Sequence, residues 1–388
     1  MPWKETCVMD ERVAFIAACL AAEESMAEIC RSRDISRKAG YKWLERYRDG
    51  GTEALVEHSR APLTHPHAIG PEMARLLIEA RMRHRNWGAR KLLAWLADRH
   101  ARSDWPAPST VSDLLKNSGL VNARRRRRHA TPAGGPLIAA HGPNETWCAD
   151  FKGCFFTGDA GRCDPLTISD AHSRFLLRCQ AVAKTDGEHV RAIFEACFRQ
   201  FGLPVSLRTD NGPPFASTGL GGLTRLSVSW LRLGIRLERI EAGHPEQNGR
   251  HERMHLTLKQ DAACPPARTL RAQQRQFDRW REEYNNERPH EALGQRPPAE
   301  FYAPSPRPYP ARLEEIEYPD DWTSRSVRKA GQMKWDGHDV RVSRALRGER
   351  VGLEPVGDGV WRVHFAHLVL GMFDERELRI RPLKRAWK

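Results

Sequence analysis

Between residues 144 and 254 the chain alternates short apolar, strand-like runs with longer stretches of helical period. No other feature constrains its fold as strongly, because such alternation packs as a sheet covered by helices. Thr146 to Phe156 reads as a strand, and Gly158-Asp159-Ala160-Gly161 as a turn. Pro165 to Asp170 and Arg174 to Val182 are two further strands of a meander. Asp186 is placed to cap a helix that runs to Phe201. Val205 to Thr209 is a strand that ends at Asp210-Asn211-Gly212. Leu223 to Leu233 reads as helical, Ile235 to Ile240 as a short strand, and long helices begin near Gln247 and Arg268.

The flanks differ from this middle. Ala14 to Ala22, a capping box at Ser25 and Glu28, and a helix from Ser36 to about Arg48 form a helix-turn-helix plan. Its last helix offers Arg37, Lys38, Tyr41 and Lys42 near its start, where such a helix meets the major groove. Residues 71–120 give a second helical unit, with Arg90, Lys91 and Arg99 expected at its surface and Ser109 as a cap. Five consecutive arginines come next, Arg124, Arg125, Arg126, Arg127 and Arg128, a run that repels itself until an anion neutralises it. Downstream of the core, Pro304, Pro306, Pro308 and Pro310 predict a stiff spacer. Residues 331–373 then read as short strands around Asp336-Gly337 and Gly357-Asp358-Gly359, which predicts a small barrel.

Charge follows the same division. Net charge is +8 over residues 1–140, +2 over 141–305 and +4 over 306–388. Basic flanks around a near-neutral core suit a polyanionic partner. The nine cysteines are scattered without a C-x-x-C pair, which fits free thiols rather than a disulfide frame or zinc finger. No apolar run is long enough to span a bilayer, and the N-terminus lacks a signal-peptide plan. These readings predict a cytoplasmic protein with no membrane partner.

Three carboxylates stand at positions that a sheet and a facing helix can bring together. Asp150 lies in the first strand, Asp210 where a later strand ends, and Glu252 at the start of the long helix. Hard divalent cations take such oxygen ligands and leave room for phosphate oxygens. Spacing alone does not single out these three among the 20 acidic residues of the segment.

Five stretches in order, TWCADFKG, LTISDAHSRFLL, LRTDNGPPF, HPEQNGRHERMHLTLK and YNNERPHEALGQRPPAEFY, do so by resemblance. The segment they span resembles the catalytic core of DDE transposases of bacterial insertion sequences and of retroviral integrases. That resemblance implies an RNase H-like core, a mixed five-stranded sheet flanked by helices. It implies Asp150, Asp210 and Glu252 as the catalytic ligands of Mg²⁺ or Mn²⁺, two ions in all. Glu246 is a rival: 35 residues separate it from Asp210, against 41 for Glu252, but the local pattern favours Glu252 with an insertion around Ser217 to Ser227. Asp170 is expected to be structural. Asn248, His251, Arg253, His255 and Lys259 are candidate contacts to DNA phosphates.

The chain therefore divides, as an expectation, into a helix-turn-helix domain (1–60), a second such domain (61–122), a basic linker (123–140), the core (141–303), a Pro-rich linker (304–324) and a barrel (325–388). The resemblance implies cleavage at the ends of an insertion sequence and joining of the freed 3′-hydroxyl to target DNA. Its partners would be double-stranded DNA, as terminal repeats and target, and further copies of the chain in a synaptic complex. No nucleotide cofactor is expected, since no phosphate-loop motif is present. The alternatives are a catalytically silent DNA-binding repressor or element remnant, and a nuclease of the same fold that cuts without joining.

Overall fold

The computed structural model describes residues 7–57, 69–121, 140–240 and 249–383. The five arginines at 124–128, Glu246 and Asn248 lie outside these. The chain forms two compact units, residues 1–68 and 69–388. Among the described residues, no helix is long and apolar enough to cross a membrane.

The first unit holds α1 (Val8–Ala21), α2 (Met26–Ser32) and α3 (Arg37–Gly50). The Ser25/Glu28 capping box forms, and Ser36 caps α3 through the Ala39 N–H. The helices close on Phe15, Ile16, Ile29, Cys30 and Leu44. Gly40 permits the tight crossing, since a Cβ there would sit 2.6 Å from Cys30 Sγ.

The second unit begins with α4 (Pro71–Arg83), α5 (Ala89–Arg99) and α6 (Pro108–Asn117). Pro108 rather than Ser109 opens α6, because a proline at the first helical position gives up only an N–H that would be unpaired anyway. These three helices are tied to residues of the core. His84 Nδ1 lies 2.9 Å from Glu283 Oε1, and Asn86 donates to Asp261 at 2.6 Å. Lys91, expected at the surface, is half-buried and donates to the Pro289 carbonyl at 2.5 Å. Burial, with the Arg288 and Arg253 cations nearby, pulls its ammonium down to about 7.

The core sheet contains β1 (Thr146–Phe151), β2 (Phe155–Phe156), β3 (Arg162–Asp170), β4 (Leu176–Val182), β5 (Ser206–Thr209) and β6 (Arg236–Arg239). Its lanes run β4-β3-β1-β5-β6, and β2 adds two residues beside β3 beyond the end of β1. The predicted Thr146–Phe156 strand is thus broken, with Gly153 at φ +95° in the gap. β4 starts two residues later than predicted because Arg174 has φ +67°, a turn conformation. β1 pairs antiparallel with β3 and parallel with β5, and β5 pairs parallel with β6.

Helices α7 (Gly187–Phe201) and α8 (Arg225–Arg232) cover one face, over Trp147, Leu166, Ile168, Phe194, Leu207 and Trp230. Helices α9 (Gly249–Ala262) and α10 (Leu270–Asn286) cover the other, through Met254, Leu258, Phe277 and Trp280 against Leu176 and Cys179.

The C-terminal part holds β7 (Thr323–Ser326), β8 (Gln332–Trp335), β9 (His338–Arg341), β10 (Arg350–Gly357), β11 (Val360–Phe365), β12 (Leu368–Asp374) and β13 (Arg379–Arg381). A five-stranded antiparallel sheet, β13-β12-β11-β10-β7, and a β8-β9 ribbon share one core, where a barrel was predicted. That core also takes in Leu223, Val228 and Leu231. The expected insertion around Ser217 to Ser227 therefore supplies part of the seat for the C-terminal sheet.

The proline-rich stretch is not a free spacer. Leu203 N–H donates to the Arg307 carbonyl at 2.7 Å, and Ser305 N–H to Phe201 at 2.8 Å. Tyr302, Tyr309 and Leu313 pack on the core. Gly202 makes room for this strap: it has φ +78° and ψ −174°, a region nearly confined to glycine, and a Cβ would stand 2.7 Å from the Ser305 carbonyl. Gly202→Ala is expected to cost at least about 2 kcal/mol in urea unfolding; a change under about 0.5 kcal/mol would contradict the strap.

Candidate metal centre at the strand ends

Side chains alternate across a strand, so the register of β1 decides what Asp150 faces. Trp147, Ala149 and Phe151 point into the apolar layer under α7 and α8. Asp150 therefore points to the opposite, polar face, with Thr146 and Cys148. Thr146 pairs with Ser206, Cys148 with Arg208 and Ala149 with Thr209. The ladder ends at the Ala149–Thr209 pair, and Asp150 and Asp210 are the next residues along the two segments. If the alternation continues by that one residue, both carboxylates fall on one face.

Asp210 is half-buried just past β5, and its Oδ1 has no hydrogen-bond partner among the described residues. Burial raises its carboxyl above the usual carboxylate range, while the Gly212 N–H and Arg239 pull it back. A buried, unpartnered carboxylate oxygen beside a second carboxylate suits a divalent cation. Asn211 ties the turn down by donating to the Ile240 carbonyl at 2.5 Å.

A third carboxylate shares this face and is already used. Glu238 on β6 accepts from Arg208 Nε at 3.1 Å and NH2 at 2.9 Å, and from Ser206 Oγ at 2.5 Å. Asp170, expected to be structural, lies at the other end of the β1–β3 ladder, opposite Trp147. It accepts from the Asn144 N–H at 2.8 Å and from Ser173 at 2.7 and 2.6 Å.

Glu252 is exposed on the first turn of α9. The helix is oriented by a buried stripe of His251, Met254, Leu258 and Ala262, with His255 half-buried beside it. Glu252 follows His251 by one residue and so stands on the flank of that stripe. The compact ligand group among the described residues is Asp150, His251 and His255, whose ligand atoms lie within 4.8 Å of one another. Asp210 and Glu252 do not belong to that group.

His251 corrects an expectation. His251 is 3% exposed, so it does not reach DNA. Its Nε2 and that of His255 both lie 2.7 Å from Thr167 Oγ1, a buried hydroxyl opposite Asp150. His251 Nδ1 lies 3.4 Å from Ser169 Oγ, and His255 Nδ1 4.0 Å from Asp150 Oδ2. Burial pulls His255 down to about 4, helped by Lys152, and holds His251 well below its usual value. The i, i+4 spacing of the pair was the available sign that both occupy one helix face. Nothing in the sequence pointed to Thr167.

The other candidate DNA contacts are accessible where described. Arg253 and Lys259 are exposed on α9, and Arg37, Lys38, Tyr41 and Lys42 on α3.

Comparison with known proteins agrees with this architecture. Residues 140–245 and 233–298 match two models described as integrase core domain. Residues 39–115 match a homeodomain-like domain. Residues 323–381 match the C-terminal domain of IS481 family transposases. The chain is 32% identical over 234 residues to the insertion element IS476 uncharacterized 39.2 kDa protein of Xanthomonas euvesicatoria, covering 58% of this chain and 63% of that protein. It is 28% identical over 256 residues to the insertion element IS407 uncharacterized 31.7 kDa protein of Burkholderia multivorans, covering 65% and 87%. The chain thus spans a little under two thirds of the IS476 protein. Among solved structures, the HTLV-2 integrase catalytic core domain with magnesium overlaps 42% of this chain and 99% of its own at 15% identity, with a TM-score of 0.34, too loose to fix any detail.

Replacing Thr167 tests the pinning of α9. Thr167→Val takes the hydroxyl partner from the Nε2 atoms of both His251 and His255, at about 1–3 kcal/mol for each polar group left unpaired. Thr167→Ser keeps the hydroxyl and is expected to lose only about 1 kcal/mol. Equal stability of the two variants in urea would contradict the shared hydroxyl. The chain is thus similar to integrase core domains over residues 140–298 and to the C-terminal domain of IS481 family transposases over residues 323–381.

Proposed function

We propose that this protein is a DNA transposase in which Asp150, Asp210 and Glu252 hold the catalytic metal. What supports this is the parallel β1–β5 ladder, which ends one residue short of both Asp150 and Asp210 and whose continuation would put both on the polar face. The unpartnered Asp210 Oδ1 fits such a group. A divalent cation, when bound, supplies the Lewis acid for phosphoryl transfer.

The chain's own residues bind and orient. Asp150 and Asp210 come from the sheet, and Glu252 comes from the flank of α9. Arg253 and Lys259, exposed on the same helix, can lie against the DNA backbone. Arg37, Lys38, Tyr41 and Lys42, exposed on α3, would read the element's terminal repeats. Water breaks the phosphodiester at the element end and frees a 3′-hydroxyl. That hydroxyl attacks a phosphodiester of the target, and one P–O bond breaks for each one formed. The exchange needs no nucleotide cofactor. Two ends must be held together for this, so the working form is a multimer.

A labelled duplex carrying the DNA that flanks the gene, incubated with protein and Mg²⁺, tests the reading. Nicking at the end with longer joined products is expected from the wild type. Asp210→Asn is expected to lose both, by at least about 100-fold, while still binding the end in a mobility-shift assay. Binding without any nick would point to a repressor or remnant, and cutting without joining to a nuclease. Wild-type rates in Asp210→Asn would contradict the assignment.

A further inference from the structure

The hydroxyl of Thr167 has one proton to give and two lone pairs to receive. It faces three partners: the Asp150 main-chain oxygen at 3.2 Å, and the Nε2 atoms of His251 and His255 at 2.7 Å each. One arrangement satisfies all three. The proton goes to the Asp150 carbonyl, and both neutral rings donate Nε2–H to the hydroxyl oxygen. Giving the proton to His255 instead would leave the carbonyl contact unused. It would also aim an Nδ1–H at Asp150 Oδ2 across 4.0 Å, too far for a hydrogen bond.

The tautomer matters for the other nitrogen. With Nε2 protonated, His255 Nδ1 carries a bare lone pair 4.0 Å from Asp150 Oδ2. His251 Nδ1 is accounted for differently, by the Ser169 hydroxyl. A neutral nitrogen acceptor and a carboxylate oxygen that face each other repel slightly, and both are metal ligands. Two bonds of about 2.1 Å at cis or tetrahedral angles set their donor atoms about 3.0–3.4 Å apart, so binding a cation would close the 4.0 Å separation by about 1 Å or less. The imidazole is braced as ligating histidines are, with its remote N–H fixed by a hydrogen bond.

We propose that His255 Nδ1 is a nitrogen ligand of the cation held at Asp150, so that the centre takes a borderline first-row ion in preference to Mg²⁺. This rests on the proposed role of Asp150 as a metal ligand. The chemistry follows from ligand type. Mg²⁺ prefers an all-oxygen shell, whereas imidazole suits first-row transition ions. His251 is then a positioning residue, bracing the same hydroxyl from the other side.

Pulsed electron paramagnetic resonance of the full chain with one equivalent of Mn²⁺, without DNA, reads the ligand directly. A ¹⁴N coupling of a directly bound imidazole is expected, replaced by a ¹⁵N coupling when the protein is labelled with ¹⁵N-histidine. His255→Gln should lose that coupling and bind Mn²⁺ at least about tenfold more weakly, with Mg²⁺ binding little changed. Asp150→Asn should abolish the bound Mn²⁺ signal. Mn²⁺ that depends on Asp150 but shows no nitrogen coupling would overturn the histidine ligand and leave the metal reading standing. A coupling that survives in His255→Gln would overturn it too, by assigning the nitrogen to another residue. No Mn²⁺ bound by the wild type would overturn both readings. Should His255→Gln fail to fold, the labelled wild type still decides whether a histidine is bound.

Discussion

A parallel strand pair with one face buried has little freedom of register, because a one-residue slip would turn every apolar side chain outward. In this chain Trp147, Ala149 and Leu207 lock β1 against β5 beneath α7 and α8. The consequence appears on the opposite face. Once those residues are inside, Asp150 faces the opposite side, and Asp210 follows directly on the last residue of β5. The candidate site is therefore set by the packing of a hydrophobic layer that none of its own residues touches. Two carboxylates so placed repel, and burial of Asp210 adds to the cost; a divalent cation relieves both.

The helix that brings the third carboxylate is held by polar contacts as much as by apolar ones. Met254 and Leu258 give α9 its grip on the sheet, but they leave its rotation loosely specified. Two histidines that converge on one hydroxyl restrict it further. In the last turn of the same helix, Asp261 is engaged by both Asn86 of the preceding helical unit and Arg288. A structural chain thus runs from α4–α6, through α9, to the flank of the site. The C-terminal sheet is fixed on the other side through Leu223, Val228 and Leu231, and the proline-rich strap through Leu203 and Arg307. Within residues 69–388, the modules around the core are docked on it rather than strung along it.

Much of this was legible in the sequence because it follows from local pattern. Asp186 caps α7 where predicted, and the alternation of 144–254 gives the order of strands and helices. Departures occurred where the backbone leaves standard regions: Gly153 interrupts the first strand, and the left-handed Arg174 delays β4. The docked strap was missed because alternating prolines specify stiffness, not what a stiff segment lies against. Lys91 was misread for a similar reason, since a lysine on a helix looks solvated until its neighbour is known. Of the candidate site, the carboxylates could be named from motif resemblance. The roles of His251 and His255 could not, since a contact to Thr167 spans more than 80 residues and leaves no periodic trace.

The central claim is that Asp150 and Asp210 jointly hold a divalent cation. Crystals grown with Mn²⁺ and measured at the manganese absorption edge would test it most directly. An anomalous peak about 2.1 Å from carboxylate oxygens of both residues is the expected result. Two ordered carboxylates with no peak between them at saturating Mn²⁺ would contradict the account.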